Sequence, residues 1–196
     1  MRAMLVLVAG LIVFLGIHSV SIVAPAWRAG VVARMGERPW KGIYSIASGV
    51  GLALLIVGYG IARHSPVVLY TPPAVLRHLA LLVMVPVFPL LVATYLPGRI
   101  KTAARHPTLL AVKLWAVAHL LANGTLADVL LFGGFLVWAV ADRISVKRRT
   151  PAEAHAVPAA PPRPMNDAIV VVVGLLIYAV FLFWGHRWLI GVSPLG

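Results

Sequence analysis

The chain has no cysteine. That excludes disulfides, thiolate metal ligands and iron–sulfur clusters held by its own side chains. It is also poor in charge: Asp and Glu together number 5 in 196 residues, and all charged residues make up 11%, where soluble domains carry about a quarter. With Asp128 the one acidic residue placed to be buried, a carboxylate relay for proton-coupled transport is poorly supported. No Gly-Lys-Ser/Thr phosphate loop, His-Glu-x-x-His motif or Gly-x-Ser-x-Gly elbow occurs, so the common signatures of nucleotide, zinc-protease and serine-hydrolase chemistry are missing. Polar stretches are scarce as well. The exception is residues 150–165, which hold five prolines and several alanines and read as an extended cytoplasmic linker. His155 and Glu153 within it are read as inert.

What fills the chain is hydrocarbon. Hydrophobic residues make up 61% and the mean hydropathy is +0.97. Six apolar segments can be drawn, at 3–27, 43–62, 75–96, 107–122, 126–141 and 168–189. A spanning helix needs roughly 20 apolar residues, and the fourth and fifth segments are short by that measure. Asn123-Gly124-Thr125 joins them, and Asn-Gly is a turn signal, so a tight helical hairpin is expected there. The fold class is all-α: a polytopic membrane helix bundle of about six transmembrane helices forming one domain over residues 1–196. The first segment starts with Arg2 and passes Ala24-Pro25-Ala26, but its apolar run exceeds that of a signal peptide, so it is read as a retained span.

The net charge is +12. The basic residues lie between apolar segments and form no stripe on a polar helix, which argues against nucleic acid as a partner. They sort by side instead. Twelve fall in the loops after the first, third and fifth segments, and four (Arg2, Arg63, Arg77, Arg187) on the other side. Lys113 lies inside the fourth segment and is read as snorkelling to the interface. The positive-inside rule then places the odd-numbered loops in the cytoplasm and both termini in the periplasm, in a bacterial inner membrane.

Coordinating groups at membrane depth are costly and are therefore functional candidates. Of seven histidines, His64, His78 and His186 fall near the outer interface by residue count, His106 at the cytoplasmic start of the fourth segment, and His155 in the linker. His18 and His119 lie inside. Counted from Trp27 and Pro107, they sit about 14 Å and about 18 Å deep from the same side. Two imidazoles at one level, with no third ligand nearby, suit an iron porphyrin better than tetrahedral zinc, because the macrocycle supplies four nitrogens. The competing reading is that each histidine is an interhelical hydrogen-bond donor. Trp115 precedes His119 by one helical turn. Asp128 either faces His119 or caps the fifth helix.

Several stretches resemble the NnrU family. They are Arg105-His106-Pro107, the run from Leu114-Trp115 through His119 to Asn123-Gly124, Leu130-Leu131-Phe132-Gly133, and, near the N-terminus, His18-Ser19, Met35-Gly36-Glu37-Arg38 and Gly42-Ile43-Tyr44-Ser45. The resemblance covers the chain apart from the proline-rich linker. It implies a link to denitrification and nitric oxide metabolism. The related zeta-carotene isomerase, a haem b membrane enzyme, is similar at both signatures. By that resemblance His18 and His119 are the metal ligands of haem b, with Trp115, Asn123, Arg105 and His106 as cofactor-binding candidates. Arg105 and His106 lie where a haem propionate or lipid headgroup would be met. The sequence departs from the isomerase at Ala116, where that enzyme has a cysteine, so thiolate ligation is excluded here. A fainter likeness to membrane methyltransferases lacks their carboxylate motif after the fifth segment.

Three functions remain open from the sequence. One is a haem protein that transfers electrons or binds nitric oxide. Another is a haem-dependent isomerase of a carotenoid or other hydrophobic polyene. The third is a cofactor-free accessory protein with a respiratory protein partner. Catalytic residues are not assigned, and whether the chain is an enzyme stays open.

Overall fold

The computed structural model describes residues 2–148 and 160–195. The described residues are helical apart from loops and one isolated antiparallel bridge, Val68 with Thr125. Five helical stretches are long and apolar enough to cross a membrane, and a sixth, Pro107–Ala122, is apolar but shorter. Many large apolar side chains are exposed, among them Ile12, Ile46, Leu82, Val137, Val172 and Leu176. Water would not tolerate such surfaces on a monomer, and a bilayer requires them.

The chain divides into two compact units, residues 1–71 with 123–148, and residues 72–122 with 149–196. The first holds α1 (Arg2–Val23), α2 (Pro25–Met35), α3 (Glu37–Ala62) and α8 (Leu126–Arg148). The first span is interrupted earlier than composition suggests. Pro25 sits at the N1 position of α2, where its missing N–H costs nothing, and α1 ends at Val23 rather than at Trp27. Gly36, at φ 88°, turns the chain from α2 into α3. Trp40 is buried, with the Trp27 ring edge-on at 6.0 Å and the Arg28 guanidinium over it at 5.8 Å.

α1 and α3 meet backbone to backbone. A Cβ on Gly10 would lie 2.7 Å from the Leu55 nitrogen, one on Gly51 2.7 Å from the Phe14 nitrogen, and one on Gly58 would overlap the Leu7 backbone. Gly51 and Gly58 are seven residues apart, as are Phe14 and Leu7, so both contacts fall on one face of each helix. Small residues permit this approach where lipid offers no hydrophobic driving force between helices. Leu7, Leu55, Ala62 and Ala127 form the core, flanked by Phe14, Tyr59 and Phe135. α8 runs 23 residues, so the fifth segment is a full-length span and only the fourth is short.

At the end of α3 the loop folds onto the Asn123–Thr125 turn. Leu69 and Tyr70 donate their N–H groups to the Gly124 carbonyl at 2.8 and 3.1 Å, and Leu126 donates to Val67 O at 2.8 Å. Any Cβ at Gly124 would run into the Tyr70 carbonyl. Gly124→Ala should therefore break this clasp and lower stability by about 1–3 kcal/mol, readable as a lower unfolding temperature and faster amide exchange at Leu69 and Tyr70.

The second unit holds α4 (Ala74–Met84), α5 (Val87–Tyr95), α6 (Arg99–Ala104), α7 (Pro107–Ala122), α9 (Asn166–Val180), a π-helical turn (Phe181–Gly185) and α10 (His186–Ile190). Pro86 splits the third segment. Val85 N–H bonds to Leu82 O instead of Leu81 O, and the freed Leu81 carbonyl takes the Tyr178 hydroxyl at 2.9 Å. A neighbouring helix thus satisfies what proline released, as a membrane interior demands. Gly174 lets α9 approach Pro89 of α5. The base of α9 is tied down by two side chains. Buried Asn166 donates to Pro97 O and Pro161 O, and the Asp167 carboxylate accepts the Arg99 and Ile100 N–H groups. Most of the linker expected at 150–165 lies outside the described residues; residues 160–163 are non-helical.

Candidate functional site

The candidate residues fall in both units. His18 is on α1 of the first, five residues before the helix ends, or about 8 Å along its axis. The depth counted from Trp27 was longer because it ran through the break at Ala24. Its Nδ1 lies 2.6 Å from Phe14 O. A carbonyl only accepts, so Nδ1 carries the proton and Nε2 keeps the lone pair. The ring stacks on Phe14 at 4.3 Å, with Tyr44 at 5.1 Å and Trp138 edge-on at 6.0 Å. The Trp138 indole nitrogen is buried with no hydrogen-bond partner among the described residues, an orphan donor close to the imidazole.

Asn123 also belongs to this unit, in the turn before α8. Asp128 caps α8, the simpler of its two expected roles. Its carboxylate accepts from the Thr125 N–H at 2.9 Å and the Thr125 hydroxyl at 2.6 Å, while the Asp128 N–H donates back to Thr125 Oγ1 at 3.3 Å. This is a reciprocal capping box with aspartate in place of glutamate. The second carboxylate oxygen takes the Tyr59 hydroxyl at 2.5 Å. At 4% exposure, Asp128 meets the condition for a tolerable buried carboxylate, hydrogen bonds to both oxygens.

In the second unit Trp115 and His119 share one face of α7. Trp115 packs on the Val87, Leu90 and Ala111 cluster, and its ring lies 5.1 Å from that of His119. His119 Nδ1 is 2.8 Å from Trp115 O, so it has the same tautomer as His18. Arg105 stands before α7 at φ 58°. His106 N–H donates to Ala104 O at 2.6 Å, closing a three-residue γ-turn of the strained kind. His106 then offers its carbonyl to Leu110 N–H at 3.1 Å, with Pro107 at the first position of the helix. The signature triplet is thus a sharp, strained corner that starts α7.

Sequence reasoning placed His186 near the outer interface and did not link it to His119. In the structure their rings are 6.5 Å apart and inclined by 24°. A π-helical turn, Phe181–Gly185, immediately precedes His186. His186 Nδ1 is 2.6 Å from Val192 O, so it too keeps the lone pair on Nε2. The signal was present in Phe181–Gly185 followed by Gly191, but a π-turn has no reliable sequence mark.

No group of three or more His, Asp or Glu positioned to hold a bare metal ion occurs among the described residues. The donor set is imidazole alone, presented singly or in a pair. A family model described as NnrU protein matches residues 6–194. No curated protein and no solved structure matches the chain.

Proposed function

Because the chain belongs to the NnrU family, we propose that this multi-pass membrane protein is a b-type haem protein of nitrogen-oxide metabolism, resident in a bacterial inner membrane with both termini periplasmic. The observation that carries the reading is the state of the histidines. His18 and His119 each donate Nδ1–H to a carbonyl four residues back, which orients both rings. This is the outer-shell arrangement typical of metal-bound imidazole. A donor set without carboxylate or thiolate suits an iron whose remaining positions a macrocycle fills. Haem held there would supply a one-electron couple and a site at which nitric oxide could bind.

His119 is the ligand this reading requires, and His18 is the partner that the family resemblance implies. Trp115 contributes a flat wall beside His119. Arg105 and His106, at the corner before α7, are the residues that the resemblance implies for a propionate. The buried indole N–H of Trp138 offers a donor near His18.

The test is an optical spectrum of the detergent-purified protein, oxidised and dithionite-reduced, with haem quantified against protein. Wild type is expected to carry near-stoichiometric b-type haem, and His119→Ala to lose most of it. A colourless wild type that takes up no added haemin would overturn the reading and leave the accessory role. A stoichiometric spectrum would make nitric oxide titration and carotenoid isomerisation the next assays, which separate ligand binding from isomerase activity.

A further inference from the structure

The second unit has a cleft at one end that the haem reading does not use. The third span finishes at Tyr95 and the last begins at Asn166. Buried Asn166 brings these ends together, its side chain donating to Pro97 O at 2.8 Å and to Pro161 O at 3.1 Å. The Ala160 N–H adds a bond to Tyr95 O at 2.8 Å, and the Asn166 N–H returns to Arg163 O at 3.1 Å. Residues 160–166 are thus strapped across the end of α5. Prolines at 161, 162 and 164 restrict the strap further, because each ring fixes its φ.

Between the strap and α6 lies a cleft of about 930 Å³, a size suited to a small ligand. Pro97, Pro162 and Pro164 give it apolar walls, and Arg99 and Arg163 line it with two guanidinium groups. Both arginines are exposed, and neither guanidinium has an ion-pair partner among the described residues. Asp167 lines the cleft as well. Its oxygens are occupied, accepting the Arg99 and Ile100 N–H groups at 2.9 and 3.0 Å. Residues 96–106 and 160–167 together carry four Lys or Arg and one acid, so this end of the unit is strongly cationic.

Position decides the occupant. The cleft stands where two apolar spans reach their polar ends, which is the level of phospholipid headgroups. Met165, Ile169, Val172 and Leu176 are exposed and follow one another at helical spacing along one face from the foot of α9. A headgroup in the cleft would lay its acyl chains on that face. A soluble anion would leave it unused. Guanidinium is the side chain that matches a phosphate's oxygens in pairs.

We propose that this cleft binds the phosphodiester headgroup of an anionic phospholipid, held by Arg99 and Arg163, with the acyl chains along the exposed face of α9. The proposal is independent of the haem reading.

The experiment titrates the full-length protein, in mild detergent, with phosphatidylglycerol or phosphatidylcholine and counts bound lipid by native mass spectrometry. Wild type is expected to hold one phosphatidylglycerol at least about tenfold more tightly than phosphatidylcholine. Arg99→Gln/Arg163→Gln should lose that preference with an unchanged unfolding temperature, since both side chains are exposed. Arg34→Gln/Lys147→Gln removes the same charge from exposed positions outside the cleft and should keep the preference. A wild type that does not discriminate, or a preference that survives Arg99→Gln/Arg163→Gln, would overturn the proposal. Equal loss in both double variants would overturn it too, by assigning the preference to net charge. Release of the lipid by millimolar inorganic phosphate would show a soluble-anion site in its place.

Discussion

Gly58→Ala is expected to destabilise the first unit by about 3 kcal/mol, and Gly58→Leu to prevent its assembly, because the added atoms meet backbone. A Cβ at Gly58 falls on the nitrogen and Cα of Leu7 and on the Val6 carbonyl carbon. Backbone in the middle of a helix has no rotamer to escape into, so α1 must move outward as a whole. That movement would loosen Gly10 against Leu54 and Leu55, and Gly51 against Phe14. The control lies on the same helix. Gly49 and Gly60 have nothing within 4 Å of an added Cβ, so alanine there should be neutral or stabilising by up to about 1 kcal/mol, through helix propensity alone. Thermal unfolding in detergent of Gly58→Ala beside Gly60→Ala decides the matter. Equal transitions would show that the close crossing of α1 and α3 does not carry the unit's stability.

Asp128→Ala should cost a similar amount, about 3 kcal/mol, by a different route. The substitution removes one acceptor group and strands three donors: the Tyr59 hydroxyl and the Thr125 N–H and hydroxyl. A spanning helix loses its cap at the same time. Asp128→Asn keeps one carbonyl oxygen and the shape of the side chain, so its effect should be smaller. Tyr59→Phe removes a single donor and leaves both Thr125 bonds, for a loss of about 1 kcal/mol. The order Asp128→Ala, then Asp128→Asn, then Tyr59→Phe in unfolding temperature is the expected outcome. Wild-type stability in Asp128→Ala would show that the network does not hold the turn.

Much of the architecture is legible in the sequence because the bilayer imposes it. Uninterrupted apolar runs of spanning length have one stable solution, the helix, since every backbone polar group must be satisfied within its own segment. Five stretches of spanning length and the shorter Pro107–Ala122 therefore appear where apolar segments were read, and the breaks at Pro25 and Gly36 lie at residues whose backbone chemistry stops or turns a helix. The deviations have the same kind of cause. Pro86 splits the third span without ending it because Tyr178 caps the freed carbonyl. The fifth span extends to Arg148, beyond the apolar run, because basic side chains in a final turn favour the helix rather than stop it.

The candidate site was legible only in part. Composition singled out histidine as the candidate coordinating residue, and the signature around Trp115 and His119 named one helix that carries a candidate. Residue counting along single helices did not show that His186 and His119 come within 6.5 Å of each other, because that depends on how α7 packs against the segment after the π-turn.

By itself, then, the sequence determined that the protein is a helical membrane protein, where its apolar segments lie, the family it belongs to and that it has no thiol of its own. All of these follow from local composition and covalent identity. Tertiary structure alone decided that Asp128 is a cap tied to Tyr59, that Gly58 rather than Gly60 is the glycine α1 cannot do without, and that His186 stands beside His119. Each of those depends on which surfaces of separate helices come together, and that is set by packing between residues as many as 69 positions apart, as for Tyr59 and Asp128, which no local pattern encodes.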